Sequence, residues 1–173
     1  GVLDLADEGH PDLPAPERAA PAPLDLAQLI AHRKSVRNYS PAPLTQTELS
    51  YLIWCTQGVK ELVRGAVTLR TVPSAGAWHA FETYLLLNRV EGLTPGLYRY
   101  LALDHKLALL DAEAGLADRL VEACLGQKFV ATSAATFLWT AVPYRMTWRY
   151  GERGYRYLHL DAAGKMPIPI WVR

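Results

Sequence analysis

Cysteine is scarce in this chain of 173 residues, which contains only Cys55 and Cys124 and no Cys-x-x-Cys pair. Two cysteines cannot form a disulfide scaffold, so the composition fits a reducing compartment, and we expect a cytoplasmic protein. The five histidines show no His-Glu-x-x-His or other paired spacing, so no metal site is predicted. No apolar run reaches the roughly 18 residues that span a bilayer, and no signal peptide is evident.

An excess of one charge is also lacking, because 18 Lys and Arg residues balance 17 Asp and Glu residues. A net charge of +1 gives no strong field towards nucleic acid or an anionic membrane, so neither partner is expected. The dinucleotide fingerprint, the phosphate-binding loop and the Gly-x-Ser-x-Gly turn are missing too. A bound organic cofactor acting on a small molecule is therefore the natural source of chemistry.

Three regions can be distinguished along the chain. Residues 1–24 are rich in proline and have no hydrophobic period, which predicts an extended arm. Residues 25–164 carry regular hydrophobic patterns, and their length suits one domain with a substantial core. Residues 165–173 form a divergent tail, where Pro167 and Pro169 cannot continue a helix.

The pattern within residues 25–164 predicts an α+β fold. Asp25 is a predicted N-cap, and Thr45 with Glu48 forms a capping box for a second helix that ends near Gly58. The inner stripe of this second helix is predicted at Leu49, Leu52, Ile53 and Thr56. Residues 59–72 are predicted as a loop. Apolar runs predict strands at 83–89, 97–101, 106–110 and 136–142, and helical spacing predicts helices at 113–125 and 144–160. Because helices precede an antiparallel meander, we expect an antiparallel-type central sheet flanked by helices.

A cluster of basic residues follows the first predicted helix. Arg33, Lys34, Ser35 and Arg37 place three cations and a hydroxyl within five residues. Guanidinium groups and a hydroxyl are good phosphate ligands. A solvated basic helix terminus would have the same composition, so the spacing leaves both interpretations open.

A loop of small residues, Pro73–Gly76, is the second candidate. Small side chains let the backbone approach a flat ligand closely. His79 and Glu82 follow and could line the same pocket, where His79 would serve either as a proton carrier or as a structural residue.

Aromatic residues and arginines alternate over residues 148–157. Such a segment could stack on a ring or on nucleic-acid bases. It is equally typical of an amphipathic helix that buries Trp148 and Tyr155 and leaves its arginines in solvent.

In this order the motifs resemble the nitroreductase superfamily and, more narrowly, its SagB-type dehydrogenase branch. The resemblance extends from about Leu26 to Asp161 and is specific because several blocks occur in sequence. The blocks are RKSVRNY at 33–39, LTQTELSYLIWCTQG at 44–58, VPSAGAWHAFE at 72–82, PGLYRY at 95–100, CLGQKFV at 124–130 and ERGYRYLHLD at 152–161.

The resemblance implies an α+β homodimer with two FMN sites at its interface. It also implies that the FMN phosphate and ribityl chain are held by Arg33, Lys34, Ser35 and Arg37. By the same resemblance, the isoalloxazine ring is expected to lie near Pro73, Ser74, Ala75 and Gly76. The implied activity is FMN-dependent two-electron transfer between NAD(P)H or another organic donor and a small-molecule acceptor.

Two departures from the SagB-type pattern affect the expected activity. The Lys-Tyr pair of azoline-oxidising members is Arg149-Tyr150 here. Arginine is a poor base, which disfavours azoline oxidation and leaves Tyr150 as the catalytic candidate, a proton donor. The usual long helix after Asp161 gives way to the proline-containing tail, so we expect a C-terminally truncated domain. The alternative function is a catalytically incomplete flavin-binding or non-catalytic remnant.

Overall fold

The computed structural model describes residues 10–16 and 25–165. Most of the predicted arm and all but the first residue of the predicted tail lie outside these ranges. The elements in chain order are α1 Leu26–His32, α2 Gln46–Gln57, β1 Val59–Val63, β2 Val67–Arg70, a 3-10 turn at Ala75–Ala77, β3 Phe81–Leu87, β4 Gly96–Leu101, β5 Lys106–Asp111, α3 Leu116–Ala123, α4 Phe129–Thr132, β6 Ala135–Ala141, α5 Pro143–Tyr150 and α6 Arg153–Gly164.

A four-stranded antiparallel sheet in the order β5-β4-β3-β6 forms the centre of the fold. In the central strand β3, Tyr84 pairs with Arg99 of β4 on one side and with Leu138 of β6 on the other. The run Leu85–Leu87 is buried, which explains why the strand is almost continuously apolar in sequence. The predicted α+β architecture with an antiparallel sheet is confirmed.

Helix α2 packs on this sheet to form the main core. Thr45 and Glu48 form the predicted capping box, in which each side chain bonds the backbone of the other residue. The predicted inner stripe is also correct, because Leu49, Ile53 and their neighbours are buried. The core that α2 shares with the sheet contains Leu44, Leu49, Leu52, Ile53, Leu85, Leu87, Val90, Tyr98, Tyr100 and Leu107.

The described part of the proline-rich arm lies along the outer edge of the sheet. Asp12 forms an antiparallel bridge with Lys106, and Leu13 is buried in the main core. The Ser50 hydroxyl donates to the Pro14 carbonyl, and its oxygen lies 2.7 Å from Nε2 of His105. These contacts cover part of an edge strand that would otherwise present unpaired backbone groups.

The loop predicted for residues 59–72 is wrong in part, because β1 and β2 form a β-hairpin there. Arg64 and Gly65 both adopt left-handed backbone conformations at its turn, with φ of 50° and 68°. This turn geometry suits the twist of a two-stranded hairpin. Both strands are largely exposed, so the alternation that marks a half-buried strand is weak.

The segment predicted as a helix at 144–160 forms two helices, α5 and α6. Gly151 ends α5 with a positive φ of 56°. Gly154 is buried where α6 crosses α5, and a Cβ there would lie 2.8 Å from the Met146 carbonyl carbon. Of the two interpretations of residues 148–157, the one that buries Trp148 and Tyr155 is wrong on this point, because these side chains are 61% and 57% exposed. No helix in the described ranges is long and apolar enough to cross a membrane.

Candidate functional site

The small-residue loop is held in place by a carboxylate from the far end of the chain. Asp161 on α6 is 7% exposed. Its Oδ2 accepts a hydrogen bond of 2.6 Å from the Ser74 hydroxyl, and its Oδ1 accepts one of 3.1 Å from the Ala75 N–H. The Ser74 oxygen in turn accepts the His79 N–H at 2.9 Å. One carboxylate therefore fixes the loop through both a side chain and the backbone.

The structure brings Tyr150 to this loop. Gly76 has a φ of 63°, and a Cβ at this position would lie 2.5 Å from the Tyr150 hydroxyl oxygen. Any other residue would therefore clash with Tyr150 in addition to being strained. Tyr150 packs edge-to-face on Tyr157, with ring centroids 4.7 Å apart. The candidate proton donor and the loop predicted to lie near the flavin ring are thus neighbours.

A cavity of about 640 Å³ opens beside the same loop. Its walls come from the β1–β2 hairpin, from Gly76–His79, and from β3 and β4. Ligand pockets commonly fall between about 300 and 1,000 Å³. The charged residues that line it are Arg70, Glu82, Arg99, Asp104 and Arg145, and His79 and Tyr100 are the other ionisable ones.

Glu82 lies at the centre of the charged residues in this cavity. Its Oε2 accepts from Arg99 at 2.9 Å, and its Oε1 accepts from Arg145 at 2.6 Å. Burial by itself raises the pKa of Glu82, but the hydrogen bonds and charges of the two guanidinium groups outweigh burial and lower it. Glu82 is therefore held as a carboxylate.

His79 is buried and neutral. Its Nε2–H donates to the Thr68 carbonyl at 3.1 Å, whereas Nδ1 is buried without a partner among the described residues. Burial is the main cause that lowers the pKa of His79 to about 4, followed by the positive charges of Arg70 and Lys165. Of the two interpretations of this residue, these contacts favour the structural one at neutral pH.

Lys165, the last described residue, is fully buried. Its Nζ lies 4.9 Å from the centre of the Phe81 ring and has no hydrogen-bond partner in the described part of the chain. Burial lowers its pKa to about 8, although the nearby Asp161 carboxylate opposes this shift. Lys165 and Asp161 are therefore opposite charges close to each other, next to the loop at 73–76 that Asp161 holds.

The low pKa of His79 predicts a loss of stability in mild acid. Below pH 6.5 the unfolded chain binds a proton at residue 79 that the folded chain excludes until about pH 4. We expect the free energy of unfolding to fall by about 2 kcal/mol between pH 7 and pH 4.5. Urea titrations at stepped pH would measure this slope, and His79→Gln should flatten it.

The exposed His159 supplies the matched control, because His159→Gln should leave the slope unchanged. Glu82 changes this slope little, because its pKa is lowered from 4.5 in the folded chain and the stability it contributes is lost mainly as the pH falls below 4.5. An unchanged slope in the His79 variant would contradict the assignment.

The predicted phosphate segment lies in solvent. Residues 31–40 are all exposed, and Arg33 directly follows the end of α1. Among described residues, no hydrogen bond or ion pair joins positions 33–37 to the loop at 73–76. Helix α1 buries none of its residues, and its apolar side chains Leu26 and Ile30 are 54% and 65% exposed. The roles predicted for these positions remain predictions.

Several residues of the site carry no local signal in sequence. Asp161 lies 87 positions from Ser74, and Arg145 lies 63 positions from Glu82. The Arg70 position was assigned to a loop, so its place on a cavity wall was not expected. A cluster of three or more His, Cys, Asp or Glu side chains that could hold a metal ion is absent from residues 10–16 and 25–165.

The antiparallel sheet with its flanking helices and the cavity beside Gly76–His79 define an α+β protein with a candidate ligand site. Comparisons with known proteins identify its family. The nitroreductase family pattern matches residues 30–166. A candidate nitroreductase of Methanocaldococcus jannaschii is 37% identical over 139 residues, which are 80% of this chain and 67% of that protein. This chain belongs to the nitroreductase family.

Solved structures agree with this fold. A candidate nitroreductase from Ralstonia eutropha superimposes with a TM-score of 0.65 at 27% identity, over 88% of this chain and 65% of that one. One from Anabaena variabilis gives 0.60 at 33% identity, over 67% of this chain and 24% of that one. A chain of the Escherichia coli microcin synthetase McbBCD complex gives 0.55 at 18% identity, which shows the fold alone. This chain thus spans about two thirds of the first structure and a quarter of the second.

Proposed function

We propose that this protein is an FMN-dependent oxidoreductase that moves two electrons between NAD(P)H, or another organic donor, and a small-molecule acceptor. Membership of the nitroreductase family supports the reaction class. The main support for the proposal is that the Tyr150 hydroxyl lies close to the Gly76 backbone, next to the open cavity. Within the family, the blocks at 33–39, 72–82 and 152–161 support the SagB-type branch, and the cytoplasmic location stays an expectation.

The residues present fit FMN in two respects. The loop Ser74–Gly76 offers a surface of small side chains whose position is fixed by Asp161, and the lack of a Cβ at Gly76 lets the Tyr150 hydroxyl approach the loop. The segment Arg33–Arg37 offers exposed cations to a phosphate. FMN, when bound, supplies the two-electron transfer. The protein would bind and orient the ring, and Tyr150 would hold a proton near it.

We further propose that the active form is a homodimer. Helix α1 and the segment after it expose apolar and basic side chains that make few contacts within one chain. An exposed apolar face of this kind is typical of an interface. A second copy would cover α1 and could bring one copy's basic segment to the other copy's loop.

Absorbance spectroscopy on purified protein tests the cofactor assignment. We expect a flavin spectrum, and we expect the double variant Arg33→Gln/Arg37→Gln to bind added FMN about 100-fold more weakly, because two charge-assisted phosphate contacts are lost. Arg156→Gln, an exposed change on α6, is the control and should bind normally. Equal FMN affinity in all three proteins would contradict the role of the 33–37 segment.

Turnover is tested separately from binding. Under anaerobic conditions, NADH or NADPH should bleach the flavin absorbance of the wild-type protein if it accepts electrons from a nicotinamide. If the protein retains FMN but neither NADH, NADPH nor another organic donor reduces it, the result would favour the alternative of a flavin-binding protein without catalysis. A purified protein that binds no FMN at all would contradict the proposed function.

A further inference from the structure

The cavity beside the loop contains more positive than negative charge. Three guanidinium groups line it, from Arg70, Arg99 and Arg145, against the carboxylates of Glu82 and Asp104. His79 adds no charge because it is neutral. Asp104 is exposed at the rim, so Glu82 is the only inner carboxylate among the residues that line this cavity.

Glu82 forms hydrogen bonds with two of the three arginines. Each of its oxygens already accepts one guanidinium hydrogen bond, from Arg99 and from Arg145. Arg70 instead donates to neutral groups, the Gln57 amide oxygen at 3.0 Å and the Thr68 hydroxyl at 3.2 Å. The Nε of Arg99 is buried without an acceptor in the described part of the chain. Burial is the main cause that lowers the pKa of Arg70, and the charge of Arg145 adds to it, although Tyr100 and Glu82 oppose the shift.

The rest of the wall is apolar and aromatic. Trp78 and Tyr100 line the cavity with aliphatic side chains of the hairpin, of β4 and of the turn after β4, among them Val67, Leu101 and Leu103. Guanidinium groups bind carboxylates through paired hydrogen bonds, while flat apolar walls bind flat apolar bodies. A ligand that carries a carboxylate on a flat apolar body would therefore fit both the charged and the apolar parts of this cavity.

We propose that this cavity binds the acceptor substrate, and that this substrate is a small aromatic or otherwise flat molecule carrying a carboxylate. The assignment rests on the proposed function, because Gly76 and Ala77 of the loop line the cavity and would bring its occupant near the flavin. Arg70 anchors the carboxylate, since no carboxylate among residues 10–16 and 25–165 forms an ion pair with it, whereas Arg99 and Arg145 both pair with Glu82.

The test compares two probes of similar size, 4-nitrobenzoate and the neutral 4-nitrobenzyl alcohol, by isothermal titration calorimetry on the protein as purified. We expect the carboxylate to bind about tenfold more tightly, and we expect this preference to weaken as salt rises. Equal affinity, tighter binding of the alcohol, or no binding of either probe would overturn the proposal.

Variants locate the preference within the cavity. Arg70→Gln should remove it, Arg70→Lys should restore part of it, and the exposed Arg156→Gln should keep it. A preference that survives Arg70→Gln in a variant with a normal thermal melt would overturn the role of Arg70. Binding is measured without turnover, so loss of the charge preference and failure to hold FMN are distinguishable results.

Discussion

Replacing Asp161 with alanine is expected to lower the free energy of unfolding by about 3 kcal/mol, because a buried charged acceptor of two hydrogen bonds disappears. The Ser74 hydroxyl and the Ala75 N–H would lose their partner together. Lys165 would also lose the nearby carboxylate that stabilises its charge. Chemical denaturation of the variant and the wild type measures this difference.

The same change is expected to weaken FMN binding, because the loop at 73–76 would no longer be fixed before the ring arrives. Asp161→Asn is the matched variant, since its amide oxygen can still accept from Ala75 while its charge is gone. We expect it to lie between alanine and the wild type in both stability and FMN affinity. The exposed neighbour His159→Ala controls for general effects on α6.

A double-mutant cycle isolates the contact with the loop. Asp161→Ala and Ser74→Ala each remove one partner, so their combined cost should be smaller than the sum by about 1–2 kcal/mol. Simple additivity of the two changes would contradict a direct Asp161–Ser74 interaction.

Glu82→Ala is expected to have a similarly large effect, about 3 kcal/mol of lost stability, because it leaves Arg99 and Arg145 partly buried without their shared counter-charge. We expect the lost stability to depend on salt concentration, because the lost interaction is electrostatic. Chloride or sulfate should recover part of the lost thermal stability in this variant, and should do so less in the wild type. Thermal melts over a salt series provide the measurement.

Two comparisons control this second experiment. Glu82→Gln keeps acceptor atoms and should cost less than alanine, whereas Asp104→Ala at the exposed rim should be nearly neutral. If Glu82→Ala melts like the wild type at every salt concentration, the carboxylate does not organise these arginines.

Local patterns predicted the regular elements because the information lies within a few residues. The capping box at Thr45 and Glu48 and the inner stripe around Leu49 and Ile53 formed as expected. The apolar run of β3 became a buried central strand. The sequence does not indicate the hairpin at 59–70 because its two strands are short and largely exposed, and Val67 and Leu69 face solvent instead of a core.

The same limitation explains the wrong burial predicted for Trp148 and Tyr155. Helical spacing identified an amphipathic segment, but it did not say which face meets the rest of the protein. Met146, Gly154 and Leu158 occupy the buried face instead, where α5 and α6 cross. Docking of one helix on another depends on partners distant in sequence, so periodicity alone could not select the face.

The amino-acid sequence determined the class of fold, the ends of most elements and the family to which the chain belongs. It also singled out Tyr150 and the loop at 73–76, which the structure places together. Only the tertiary structure brought Asp161 to Ser74 and gathered Arg70, Arg99 and Arg145 around Glu82. The physical reason is range: caps and hydrophobic periods act over a few residues, whereas ion pairs and cavity walls join side chains that are neighbours only after the sheet and helices have packed.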